Sequence, residues 1–299
     1  MIKLGAYLIY GEESPIDRLR IVKNVGFDQI CFGIETLELS NTSGITPDVC
    51  ANIGLEIQHL HLTGSKTNLL WSEGVDGDAI ADRFCRQIEE CRQWGIKRGV
   101  LHALYSRNPE PAPIGEVGLS RFKKIAEAAE KNEVILALEN SILDEYFCYL
   151  LDNIKSDYFK VCYDSGHHHA FGRNIDILAR YGDRLAATHL HDNDGARDIH
   201  MMPLDGTMDW EEVGRKLSKC PYAHESLVAE LGGKTYCQMK DMTAAEIEAV
   251  FACAPANVDG LMRFTDGKFS VYDGMSYEEK FARLYQKMRC FADRIEAAE

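Results

Sequence analysis

The chain has 299 residues, 45% of them hydrophobic and 27% charged, with ten cysteines and a net charge of −14. That balance suits a soluble globular protein with one large core. The acidic surface disfavours nucleic acid and anionic membrane as partners, and no run of Lys and Arg marks a basic groove that would offset it. No segment approaches a membrane span of about 18 consecutive apolar residues, and the opening MIKLGAYLIYGEESP lacks the small-residue cleavage pattern of a targeting signal. The cysteines include no C-x-x-C pair, and several lie inside apolar runs. Free thiols in a reducing cytoplasm are therefore expected rather than disulfides.

Short β-branched or apolar runs alternate with amphipathic stretches along the chain. Residues 2–9 read as a first strand, followed by a helix that opens near Asp17 and closes at Gly26. A strand over 27–32 follows, then a helix from Pro47 closed by Gly54, then a strand over 55–61. The helical pattern 76–94, closed by Gly95, precedes a strand over 98–103, and the pattern 114–131 precedes a strand over 133–139. Strands over 158–164, 184–190 (after Gly182) and 226–231 complete the series, with Asp209 opening a helix over 209–219. Eight strands alternating with helices predict an α/β fold, a single closed (β/α)8 barrel over residues 1–299. A doubly wound open sheet would carry a glycine-rich phosphate loop after its first strand, and YLIYGEES is not one. The repeat is interrupted before the last helix, 275–295, by an insertion at about 235–272. This insertion holds a short helical pattern, TAAEIEAVFAC, and a hairpin signal at Asp266-Gly267. On the functional face it would serve as a lid or as a contact in a homo-oligomer; the alternative is a decoration with no part in the chemistry.

Six of the strands climb through an apolar run and stop on a metal-capable side chain. IQHLH ends on His61, RGVLH on His102, VILALE on Glu139, KVCYD on Asp164, AATH on His189 and SLVAE on Glu230. In a parallel barrel these ends share one mouth, where a metal site or an active site is built. A carboxylate after an apolar run, as at Glu139 and Glu230, is costly to bury unless a positive group compensates it. In CYDSGHHH, Gly166 permits a tight turn that returns His167 to the neighbourhood of Asp164. Asp198 and His200 form an Asp-x-His pair in the loop after His189, suited to a second metal or to a substrate. His191 shares a strand face with His189 but lies beyond the strand, and it is read as a loop histidine bonded to its neighbours. His59 shares a face with His61 and is read as a satisfied core residue, and His168 and His169 as incidental neighbours of His167. Arg197, Lys66 and Arg107 are available to anchor a substrate phosphate or carboxylate.

The motifs LEN (138–140), YDSGH (163–167), HLHDND (189–194), D-x-H-x-x-P-L-D-G (198–206) and AEL (229–231) together resemble the xylose-isomerase-like barrel superfamily. That superfamily holds sugar and sugar-phosphate isomerases and epimerases, inosose dehydratase and apurinic endonuclease IV, and the resemblance covers roughly residues 1–231 and the last helix. The isomerase and epimerase branch implies one divalent metal (Zn²⁺, Mn²⁺, Co²⁺ or Mg²⁺) held by Glu139, Asp164, His189 and Glu230. It further implies a small carbohydrate substrate contacted by His61, His102, His167, Arg197 and His200. Glu139 and Glu230 would then move a carbon-bound proton, with the ion stabilising the enediolate. The endonuclease IV branch implies three zinc ions and additional ligands at His61, His102, His167, Asp198 and His200. The sequence departs from that branch. Ser141-Ile142-Leu143-Asp144 replaces its AGQG loop, TGSKTNLLW its tyrosine-containing DNA loop, and Leu204-Asp205-Gly206 its LGEG. The expected activity is therefore a metal-dependent sugar isomerase or epimerase; the alternatives are a trinuclear zinc phosphodiesterase acting on abasic DNA and a non-catalytic sugar-binding barrel.

Overall fold

The computed structural model describes residues 1–9, 11–105, 110–172, 174–196, 198–231, 272 and 275–297. Its strands are β1 (Lys3–Tyr7), β2 (Gln29–Gly33), β3 (Glu56–His61), β4 (Arg98–His102), β5 (Ile135–Glu139), β6 (Phe159–Asp164), β7 (Leu185–His189) and β8 (Ser226–Ala229). All pair in parallel, in the order β7-β6-β5-β4-β3-β2-β1-β8. The remaining gap closes just past β7, where the Leu190 amide donates to the Val228 carbonyl at 2.9 Å and the Glu230 amide donates to the Leu190 carbonyl at 3.1 Å. The (β/α)8 class read from the sequence is the fold found; seven strands lie within their expected runs, and β2 reaches one residue past 27–32, to Gly33.

Helices at Pro15–Asn24, Pro47–Ile53, Val75–Gln93, Glu116–Asn132, Asp144–Asn153, Ile177–Tyr181, Trp210–Leu217 and Tyr277–Glu296 pack around the sheet. The start of the first helix differs from the sequence reading. It is capped by Ser14, whose hydroxyl accepts from the Asp17 amide, with Pro15 opening the helix; Asp17 lies within the first turn. Gly182 closes the helix Ile177–Tyr181 as expected, with φ −62°, and leads into the 3₁₀ turn Gly182–Arg184, whereas Gly54 (φ 87°) ends its helix in the left-handed conformation. No helix among the described residues is long and apolar enough to cross a membrane. The eight cysteines described are all free, six of them buried. The insertion at 235–272 lies outside the described residues except for Tyr272, and with it lie the TAAEIEAVFAC and Asp266-Gly267 expectations; Arg107 and Arg197 lie outside them as well.

The barrel interior is layered. At the N-terminal end of the strands, Glu56 accepts from Lys3 (2.7 Å) and Gln29 (3.2 Å), and Ser226 donates to Gln29 (2.6 Å). The middle layer is small and fully buried: Val100, Ala137, Cys162 and Ala187. The C-terminal layer carries His61, His102, Glu139, Asp164, His189 and Glu230, so the apolar runs deliver their last residues to one mouth.

The loop after β7 is held against that mouth by Asp192, which is fully buried. Its carboxylate accepts from the amides of Asn193 (2.8 Å), Gly206 (2.9 Å) and Met208 (3.2 Å), and from the Trp210 indole at 2.6 Å. A Cβ on Gly206 would fall 2.3 Å from Asp192 Oδ1, so the turn around this carboxylate requires glycine. The backbone of Asp192 also pairs with Met201 in both directions at 2.8 Å, bracketing Asp198 and His200. Asp192→Ala leaves several buried N–H groups without an acceptor and should cost about 3 kcal/mol or more, read as a lower urea midpoint at unchanged m-value. A midpoint equal to wild type would contradict this role.

Candidate metal centre

Glu139 lies at the centre of the mouth with 1% of its side chain exposed. Its Oε2 is 3.0 Å from His102 Nε2 and 3.3 Å from His61 Nε2, and its Oε1 is 3.2 Å from His189 Nδ1 and 3.3 Å from His167 Nδ1. Glu230 Oε2 approaches the same His189 Nδ1 at 2.8 Å. Neither carboxylate is aligned with His189 Nδ1 as a hydrogen bond, and both that nitrogen and Glu139 Oε2 are buried without a hydrogen-bond partner. Glu139, Asp164, His189 and Glu230 together offer ligand atoms that all lie within 4.8 Å of one another. Two orphaned atoms within a set of three carboxylates and one imidazole suit a hard or borderline divalent cation. The residues fit the ion that the strand ends imply.

Asn140, the last residue of LEN, holds these strand ends in register. Its amide donates to the Asp164 carbonyl and its Oδ1 accepts from the Asp164 amide, both at 2.9 Å, while its own carbonyl accepts from His167 Nδ1 at 2.9 Å. Asp164 caps the short helix that follows, accepting from the His167 amide at 2.6 Å. The turn expected at Gly166 is real, and it brings His167 to Asp198, with Nε2 to Oδ2 at 3.1 Å. His200 Nε2 meets the same oxygen at 3.2 Å. His200 sits at φ 46°, an uncommon conformation for a residue other than glycine and one that gathers at functional sites.

The six strand-end residues expected from the sequence, together with His167, Asp198 and His200, are drawn into this mouth. His61, His102 and Glu139 form one group of potential ligands; Glu139, Asp164, His189 and Glu230 a second; His167, Asp198 and His200 a third. The third group also contains His191, which lies past β7 and is hydrogen-bonded to Asp164, as its reading as a loop histidine bonded to its neighbours expects. His191 is fully buried, its Nε2 lies 3.0 Å from Asp164 Oδ1, and its ring stacks on His200 at 3.9 Å between centroids. A Cβ on Gly166 would fall 1.9 Å from His191 Cε1, so the glycine makes room for this ring. The period-two alternation with His189 was the available signal, and the chain stays extended past the strand because Leu190 still pairs with β8. His59 is buried as expected, yet it touches the site: its Nε2 is 2.9 Å from His189 Nε2. His168 and His169 take no part in these groups, and Lys66 opens the 3₁₀ turn Thr67–Trp71 at φ 63°.

The charges of the site are mutually set. Burial by itself would raise the Glu139 carboxyl, but the imidazoles of His102 and His189 hold it well below the usual carboxylate range. Glu230 is likewise lowered by His189 against its burial. Burial would lower the imidazoles of His167 and His200, but Asp164 and Asp198 raise His167 and Asp198 raises His200, to about 9. Burial above all holds His59 well below the ordinary imidazole value, and the neighbouring His189 adds to the effect.

A family model described as xylose isomerase-like TIM barrel matches residues 19–253. The uncharacterised protein y4fM of Sinorhizobium fredii (strain NBRC 101917 / NGR234) is 43% identical over 74 residues, which is 24% of either chain. The chain spans about a quarter or less of the length of the curated relatives it matches, from 24% down to 17%. The fold is similar to that of D-psicose 3-epimerase from Clostridium cellulolyticum H10, solved with D-tagatose, with a TM-score of 0.69 and 14% identity over 97% of this chain and 99% of that one. It is also similar to the IOLI protein with a bound zinc atom, with a TM-score of 0.68 and 15% identity over 100% of this chain and 99% of that one.

A prediction about pH follows from these charges. An imidazole raised from 6.5 to about 9, as at His200, contributes stability that is complete below pH 6.5 and is lost as the pH rises through about 9. Glu139 and Asp198, held below their ordinary values, contribute stability that is lost on acidification. In a chelator, the melting temperature should therefore be highest between about pH 5 and 6.5 and fall toward pH 9. Added zinc should shrink that fall, because the ion binds deprotonated imidazoles. A melting temperature in chelator that is flat or rising from pH 6.5 to 9 would contradict this charge arrangement.

Proposed function

The chain belongs to the xylose isomerase-like TIM barrel family, and on that footing we propose that it is a divalent-metal-dependent isomerase or epimerase of a sugar or sugar phosphate. The observation that carries this reading is the pair of carboxylates, Glu139 and Glu230, that meet at one nitrogen of His189 while each keeps a second oxygen. The similar folds of D-psicose 3-epimerase and of the zinc-binding IOLI protein support it.

The exposure of each residue separates two duties. Asp164, His189 and Glu139 have at most 1% of their side chains exposed and are suited to holding an ion. Glu230, His61, His102 and His200 keep 16–20% exposed and face the space that a substrate enters. A divalent ion held by Glu139, Asp164, His189 and Glu230 would supply positive charge that acidifies the hydroxyl-bearing carbon beside the carbonyl of a ketose. Glu230, the more open carboxylate, takes the proton from that carbon, and Glu139 returns one, to the opposite face in an epimerisation or to the adjacent carbon in an isomerisation. His61 and His102, whose Nε2 atoms flank Glu139 Oε2, orient the substrate hydroxyls and hold the protonated state of that glutamate in check. His167 and His200 act with Arg197 on the remaining hydroxyls.

One observation favours a second reading. The nine residues His61, His102, Glu139, Asp164, His167, His189, Asp198, His200 and Glu230 fall into three contiguous groups, the first two sharing Glu139. That arrangement would also serve a trinuclear zinc phosphodiesterase. Zinc content separates the two readings: the isomerase needs one ion in the Glu139–Asp164–His189–Glu230 group, whereas the phosphodiesterase needs three per chain and cleaves abasic DNA.

Incubated in deuterated water with a divalent metal and a panel of free and phosphorylated ketoses, the wild-type chain should place deuterium on the carbon beside the carbonyl of at least one sugar. Glu139→Gln and Glu230→Gln should each slow that incorporation by about 10²-fold or more. Unchanged incorporation in both variants would contradict the proton transfer. A wild-type chain that binds metal and sugar without exchange would instead indicate a sugar-binding barrel.

A further inference from the structure

Beneath the metal centre a file of buried polar side chains, His189, His59, Gln58 and Tyr222, runs down from the mouth. His189 Nδ1 faces Glu139 and Glu230, so its Nε2 points down the barrel and meets His59 Nε2 at 2.9 Å. The other nitrogen of His59, Nδ1, is hydrogen-bonded to Gln58 Oε1, and Gln58 Nε2 donates to the Tyr222 hydroxyl. Nearer the N-terminal rim, Ser226 donates to Gln29 Oε1 at 2.6 Å and Gln29 Nε2 donates to Glu56 Oε2 at 3.2 Å. Lys3 donates to the same Glu56 oxygen at 2.7 Å, where both side chains are about half exposed. His189, His59, Gln58 and Tyr222 are all at most 7% exposed, so water has little access to the file they form.

The backbone is built to admit this file. The pairing of β2 with β3 steps from Ile30–Ile57 to Cys31–His59, leaving Gln58 as the extra residue of a bulge. Bulges re-aim side chains beside functional sites. Here the bulge supplies two successive residues, Gln58 and His59, to one chain of hydrogen bonds inside the barrel.

Direction is the consequence that matters. Gln58 turns its NH₂ group to the Tyr222 hydroxyl. Gln58 Oε1 is left to accept from His59 Nδ1–H, so His59 Nε2 carries a lone pair and accepts from His189 Nε2–H. With that proton fixed on Nε2, the free lone pair of a neutral His189 lies on Nδ1, the atom that faces the two glutamates. From this we propose that Gln58 and His59 act as positioning residues that impose the Nδ1-ligating tautomer on His189. The inference rests on His189 being a metal ligand.

Removal of such an outer partner typically weakens metal binding 10–100-fold. Zinc affinity measured by chelator competition should fall about tenfold or more in His59→Leu, and His59→Gln, which keeps an acceptor, should recover most of it. Long-range ¹H–¹⁵N correlation spectra of the zinc-loaded wild-type chain, labelled at histidine, should show His59 as the neutral Nδ1–H tautomer and His189 protonated at Nε2. These spectra decide the matter even where His59→Leu does not fold. Zinc bound equally by wild type and a folded His59→Leu, or a His59 protonated at Nε2, overturns the tautomer control and leaves the metal centre standing. A wild-type chain that binds no zinc overturns the centre and this inference with it.

Discussion

A carboxylate with one per cent of its surface in water must be compensated, and the mouth of this barrel is organised around that demand. Glu139 ends a strand whose preceding residues are apolar, so folding the strand buries the charge. His61, His102, His167 and His189 surround its two oxygens at 3.0–3.3 Å, delivered by β3, β4, the turn after β6, and β7. No one of these elements makes a site. Barrel closure brings them to a single point, and the mutual raising of imidazoles and lowering of carboxylates is the electrostatic trace of that convergence.

The architecture beneath explains why the charges can be held there. The middle layer of Val100, Ala137, Cys162 and Ala187 is small enough for the larger rings above it to sit inside the barrel mouth. On the β3 side, the bulge aims Gln58 and His59 into a hydrogen-bonded file that runs from His189 at the mouth down to Tyr222. On the open side, Asp192 ties down the loop that carries Asp198 and His200, so these two reach the site from a pinned segment. Fixed supports of this kind are what a proton-transfer site needs, since a misplaced base loses much of its effect.

Much of this was legible in the sequence because the barrel imposes simple periodicities. Apolar runs ending in His, Glu or Asp mark strand ends in any parallel barrel, and the six such ends here all reach the mouth. Asn140 was visible within LEN, but its part in tying β5 to β6 depends on a reciprocal hydrogen bond that no local pattern reveals. His191 was passed over because the strand appeared to end at His189; the pairing of Leu190 with Ala229, which keeps the chain extended, is a closure contact between distant segments. His59 was understood as core, correctly for its burial. Its link to His189 follows from a bulge that shifts register by one residue, and strict alternation cannot express such a shift. Ser14 outcompeted Asp17 as the first helix cap because Pro15 fixes the first helical position directly behind it.

The central claim is that four strand-end residues form one metal site. X-ray data collected on either side of the zinc absorption edge, from crystals grown with zinc, test it most directly. The account predicts an anomalous peak within about 2.0–2.3 Å of ligand atoms from Glu139, Asp164, His189 and Glu230. Zinc found elsewhere, with no anomalous density among those four side chains, would contradict it.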